Sequence, residues 1–154
     1  MTNVASDPIV KEIYIDASPS VVFQFLTDPK KMLRWMGIRA EIDPKAGGIY
    51  RVEPNGRDII RGEYLEVVTD TRVVFTWGFE GGGYHVPAGS SRVEIDLTLE
   101  GRGTRLRLTH RGLPPEAREG HDAGWGHYLG RLKTVSEGGE VGRDPMSDPS
   151  VRHG

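Results

Sequence analysis

Residues 90–138 read SSRVEIDLTLEGRGTRLRLTHRGLPPEAREGHDAGWGHYLGRLKTVSEG, and this stretch decides the fold. In its first part Val93, Ile95, Leu97 and Leu99 alternate with Arg92, Glu94, Asp96 and Thr98. That period of two predicts a strand with one dry and one wet face. The turn residues Glu100-Gly101-Arg102-Gly103 then lead into a second alternating run, with Leu106, Leu108 and His110 on one parity and Arg105, Arg107 and Thr109 on the other. His110 is therefore expected to point inward at the end of an apolar row. After Pro114-Pro115 the period changes: Trp125, Tyr128, Leu129, Leu132 and Val135 recur at three- and four-residue spacing, which predicts a long helix whose apolar stripe must lie on the sheet. Gly124, Gly126 and Gly130 each cost up to about 1 kcal/mol relative to Ala inside a helix, so either they permit close packing or the first half of the helix is irregular.

Upstream, the same alternation recurs in IRAEID, GGIYRVEP, RDIIRGEYLEVV and RVVFTWGF, giving six consecutive strands from about Ile38 to Arg111. Pro54-Asn55-Gly56 and Thr69-Asp70-Thr71 suit tight connections between antiparallel neighbours, so the six form a meander. Before them, IVKEIYI (9–15) reads as a strand with Ile13 and Ile15 towards the core. Ser18-Pro19 starts a helix carrying Val21, Val22, Phe25 and Leu26, and Asp28-Pro29 ends it and starts another through Met32, Leu33 and Trp35. The expected fold class is α+β, in the order β-α-α-β6-α, with one domain over 9–138. Residues 1–8 and 139–154, rich in polar, Gly and Pro residues, are expected to be mobile ends.

Composition narrows the function classes. The 154 residues are 36% hydrophobic and 27% charged, which suits a single core. A formal net charge of -2 gives no field to draw nucleic acid or an anionic membrane surface. The chain has no cysteine, which removes disulfides, thiolate metal sites and cysteine nucleophiles and points to a reducing, cytoplasmic setting. MTNVASDPIV has neither a basic start nor an apolar run of leader length, and no stretch approaches the roughly 20 apolar residues of a membrane helix.

The stretches ASPSVVFQFLTDPKKMLRWM, GEYLEVVTDTRVVFTW, GTRLRLTHRGLP and AGWGHYLGRLKTV resemble the SRPBCC, or START-like, superfamily. Within it they are most similar to the family named for the C-terminal domain of the activator of heat-shock protein 90 ATPase. The resemblance spans about Ile9 to Gly138 and implies the helix-grip fold, a curved antiparallel sheet around a long C-terminal helix with a cavity beneath it. It implies binding of lipids, hormones or polyketides in some relatives and cyclisation or hydrolysis in others. Each matching stretch is a packing or turn pattern rather than a catalytic signature.

The candidate cavity residues are Trp35, Phe75, Trp77, Phe79, His110, Trp125 and Tyr128. Phe75, Trp77 and Phe79 share a strand parity with Val73 and form an aromatic face that serves as sheet core, as pocket wall, or as both. Trp125 and Tyr128, three apart on the last helix, add one polar atom each, and Trp35 in LRWMG is a plug or gate where helix meets sheet. His110 is either a hydrogen-bonded core histidine or a group able to bind a ligand or exchange a proton. His121 and His127 are six apart, unlike helical metal ligands, and His85 lies in a loop, so no metal and no cofactor is expected. Arg51 and Glu53 share a parity, as do Arg61 and Glu63. They make surface pairs, or one set turns inward and offers an arginine to a ligand carboxylate. Gly81-Gly82-Gly83 follows a strand without opening a helix, so it reads as a hairpin connection rather than a phosphate loop.

Three functions follow as expectations. The first is binding of an apolar or amphipathic small molecule between sheet and helix, without catalysis. The second is a chaperone-associated role, implied by the family resemblance. The third is a cavity cyclase, dehydratase or hydrolase using His110, with Tyr64 or Tyr128 orienting the substrate. A homodimer through an exposed sheet edge is left open.

Overall fold

The computed structural model describes residues 7–142 and 144. Strand β1 (Ile9–Ile15) is followed by helices α1 (Pro19–Thr27) and α2 (Pro29–Met32). Strands β2 (Arg39–Ile42), β3 (Ile49–Glu53), β4 (Ile60–Val68), β5 (Arg72–Trp77), β6 (Ser91–Glu100) and β7 (Gly103–Arg111) come next, and helix α3 (Pro115–Ser136) closes the order. The seven strands form one antiparallel sheet in the order β1-β7-β6-β5-β4-β3-β2, so the six-stranded meander lies as expected and β1 returns to pair with β7. This is the α+β helix-grip arrangement.

The local reasons are those of the sequence. Ser18 Oγ accepts from the Val21 amide at 3.3 Å, and Asp28 Oδ1 accepts from the Lys30 amide at 2.8 Å, with a proline at the first position of each helix. Helix α2 is a single turn, and Trp35 falls in the turns that follow it.

The inner face of the sheet buries Tyr50, Val52, Ile60, Tyr64, Phe75, Trp77, Val93, Ile95, Leu97, Leu106, Leu108 and His110 against α3, which contributes Trp125, Tyr128, Leu129, Leu132 and Val135. Leu99, predicted on the dry face, is 65% exposed: β5 begins at Arg72, opposite Asp96, so no β5 residue pairs beside Leu99. Arg51, Glu53, Arg61 and Glu63 occupy the outer face. Arg51 Nη1 lies 3.0 Å from Glu53 Oε2, and Arg61 Nη1 lies 3.0 Å from Glu80 Oε2. The inward arginine is not realised, because Tyr50, Val52, Ile60 and Tyr64 take the inward positions of those strands.

Of the ends expected to be mobile, residues 1–6, 143 and 145–154 lie outside the described residues. Val141 packs against the core, and Asp144 is buried with Oδ1 2.7 Å from His127 Nε2. No helix among the described residues is long and apolar enough to cross a membrane.

Candidate functional site

The last residue of β5, Trp77, sets the centre of the space between sheet and helix. Its ring lies 5.2 Å from Trp125 of α3 and 6.2 Å from Phe79. Two histidines hold the tryptophans. Trp77 Nε1 donates to His121 Nε2 at 3.2 Å, and Trp125 Nε1 donates to His110 Nδ1 at 3.0 Å. Because an indole N–H can only donate, both contacts fix the tautomers. His121 must carry its proton on Nδ1, 2.9 Å from the Ala117 carbonyl. His110 must carry its proton on Nε2 and donate to Ser91 Oγ at 2.9 Å, while Ser91 donates to the Trp77 carbonyl at 2.8 Å. Every polar atom of this cluster is thereby satisfied in an apolar surround.

Burial, and to a lesser extent the neighbouring His121, push the His110 pKa down to about 3, and burial also lowers that of His121 against the raising effect of its bond to Ala117. Both rings are neutral near pH 7, and the Nδ1 lone pair of His110 is already occupied. Burial and the nearby Asp144 carboxylate raise the pKa of Tyr128.

A recess of about 40 Å³ opens beside this cluster, lined by Ile60, Trp77, Phe79, Gly120, His121, Gly124, Trp125 and Tyr128. That is space for a few waters rather than for a ligand of several hundred Å³. Of the residues singled out from sequence, Trp77, Phe79, Trp125 and Tyr128 meet at the recess, with His110 directly behind. Phe75 lies deeper, stacked on Tyr50 at 4.0 Å. Trp35 is buried elsewhere, donating from Nε1 to the Phe25 carbonyl at 2.8 Å while its own carbonyl accepts from Arg131 Nε at 3.0 Å. His127 points away, towards Asp144.

The candidate cavity residues read from sequence do not include Ser91, Ile60 or His121, the last considered there only as a metal ligand. The signal for His121 was present, since it stands four residues before Trp125 in the same helical stripe. The glycines of α3 fit neither account offered for them. The helix is continuous through them, and a Cβ at Gly124, Gly126 or Gly130 would meet nothing within 4 Å. Gly124 instead leaves a gap in the helix wall at the recess. The connection over residues 80–85 is irregular, with Gly81, Gly82, Tyr84 and His85 at positive φ, and it is held by the Tyr84 ring 4.8 Å from Phe79 and the Tyr84 hydroxyl 2.7 Å from Asp58 Oδ2.

Fold and site together define a helix-grip protein whose sheet and long helix enclose an aromatic cluster. Residues 16–137 match the model of the Activator of Hsp90 ATPase homolog 1-like family, and the chain belongs to that family, within the SRPBCC superfamily. It is similar to an AHSA1-like protein of Rhizobium etli solved by solution NMR, with 44% identity, a TM-score of 0.74, and 100% of this chain and 98% of that one covered. CalU16 of Micromonospora echinospora is 26% identical with a TM-score of 0.69, over 85% of this chain and 76% of that one. The Aha1 dimer of Colwellia psychrerythraea shares the fold at 20% identity, with a TM-score of 0.75 over 88% of this chain and 100% of that one. No curated protein matches the sequence.

Proposed function

We propose that the protein binds a small, uncharged, apolar ligand between β5 and α3, in contact with Trp77, Phe79, Trp125 and Tyr128. The observation that carries this reading is the recess itself: aromatic rings on both walls, no charged side chain in its lining, and a glycine where the helix could have closed it. At about 40 Å³ the recess takes only a few atoms as it stands. A larger guest enters by displacement of Phe79, which lines the recess and carries the Tyr84 ring on it at 4.8 Å.

The roles of the polar groups follow from this. His110 and His121 position the two indoles rather than transfer protons, since each ring nitrogen already has a protein partner. Acid or base chemistry at His110 would first require its bond to Trp125 or Ser91 to break. We assign the protein to the cytoplasm, a reducing setting that suits a chain without cysteine.

The family name supports a second reading, contact with a heat-shock ATPase through the protein's surface, in which the packed interior serves stability alone. Native mass spectrometry of gently purified protein beside a denatured sample separates the two. A small-molecule mass that is lost on unfolding supports the ligand reading. A bare mass, with no retention of added apolar compounds, removes it in favour of the surface role.

A further inference from the structure

A second cleft, of about 390 Å³, lies between the turns after α2, the last turns of α3 and residues 140–142 and 144. Its size falls within the range of small-molecule sites. Leu33, Ile38, Val135 and Val141 supply apolar wall, and two of them are unusually open for their type, Leu33 at 37% and Ile38 at 53% exposed.

Two arginines, Arg34 and Arg131, also line the cleft. The arginines of the outer sheet face each meet a carboxylate, as Arg61 meets Glu80, Arg72 meets Asp96 and Arg111 meets Glu94. Arg34 and Arg131 meet none among the described residues. Both are nevertheless held in place. Arg131 donates Nε to the Trp35 carbonyl at 3.0 Å, leaving its terminal nitrogens for another acceptor, and Arg34 lies over the Phe25 ring at 5.4 Å. Two acids line the cleft as well, and Asp144 is buried. Asp144 has one oxygen on His127, and Glu140 is exposed to solvent.

Two arginines and an apolar wall in one cleft call for an anion with a hydrocarbon body. We infer that this cleft is a binding site for a small amphipathic carboxylate, its head on Arg34 and Arg131 and its chain along Leu33, Ile38, Val135 and Val141. A planar guanidinium fork fits a carboxylate in two parallel hydrogen bonds. The site is separate from the recess at Trp77 and does not depend on it.

The test is an amide and indole NMR titration with octanoate, repeated with octanol as the uncharged control. Octanoate should shift the amides of Leu33, Arg34, Ile38, Arg131 and Val135 and leave the Trp77 and Trp125 indole signals in place. Octanol should bind weakly at these positions. Arg34→Gln, at an exposed position, should raise the octanoate Kd by about tenfold. Arg131→Lys, which keeps the charge and loses the fork, should weaken binding less. Equal binding of octanoate and octanol, an unchanged Kd in Arg34→Gln, or shifts confined to the Trp77 recess would each overturn the proposal.

Discussion

Trp125 Nε1 lies 3.0 Å from His110 Nδ1, a contact between the long helix and the strand it covers that leaves the imidazole no free lone pair. Its mirror is the bond from Trp77 to His121, in which the strand supplies the indole and the helix the imidazole. The two exchanges tie α3 to β5 and β7 with direction as well as with area, which dispersion between rings alone would not provide.

Removing one member should therefore cost more than the lost area. In His110→Leu the buried indole N–H of Trp125 and the hydroxyl of Ser91 both lose a partner, and each buried unmade bond costs about 1–3 kcal/mol. Urea unfolding should show a loss of roughly 2–5 kcal/mol, which is a large share of the stability of a domain. A variant within 1 kcal/mol of the parent would show that water replaces the imidazole at little cost.

The same burial makes stability depend on pH. His110, down to about 3, and His121, also lowered, hold fewer protons folded than unfolded, where each titrates near 6.5. Their contribution is complete above pH 6.5 and is lost as pH falls from there towards 3, with a slope of up to about 1.4 kcal/mol per pH unit for each ring. Carboxylates take up protons mainly below about pH 4.5. The urea midpoint should therefore fall between pH 7 and pH 5, and His110→Leu should flatten that fall. An equal slope in parent and variant would assign the pH dependence to other groups.

The helix glycines are expected to respond oppositely to most buried positions. A Cβ at Gly126 or Gly130 meets open space, so Gly→Ala should stabilise by up to about 1 kcal/mol each through helix propensity. Thermal unfolding should show the midpoint rising. At Gly124 the added methyl also narrows the recess, so Gly124→Ala should raise the midpoint while weakening apolar probes. A fall in the midpoint would mean that α3 needs these glycines in order to move.

On the outer face, Glu94 is only 7% exposed beneath arginines, with Oε2 2.9 Å from Arg92 Nε and 3.1 Å from Arg111 Nε, and with Oε1 3.9 Å from Arg72 Nη2. Glu94→Gln leaves three guanidinium groups around a neutral amide. It should destabilise by about 1–3 kcal/mol, and less in high salt, where their mutual repulsion is screened. Chemical denaturation at two ionic strengths checks both parts.

Most of the fold was legible because its determinants are local. Alternation in 92–99 and 105–110, prolines at 19, 29 and 115, and the stripe from Trp125 to Val135 each fix an element by period or by cap. Leu99 was misplaced because alternation gives a face and not whether anything covers it. The pairing of tryptophan with histidine was not legible, since Trp77 and His121 are 44 residues apart and meet only once α3 crosses β5. The size of the recess was equally hidden: aromatic residues on facing elements predict a wall, and only their packing decides how much space lies between the walls.

The central claim is that an apolar guest sits between Trp77 and Trp125. The chain has three tryptophans, and Trp35 is buried away from the recess, so the three indole N–H signals form an internal comparison. A titration with naphthalene, followed at the indole signals, should move those of Trp77 and Trp125 together and saturably while that of Trp35 stays in place. Three unmoved indoles at saturating naphthalene, or a shift of Trp35 alone, would contradict the account.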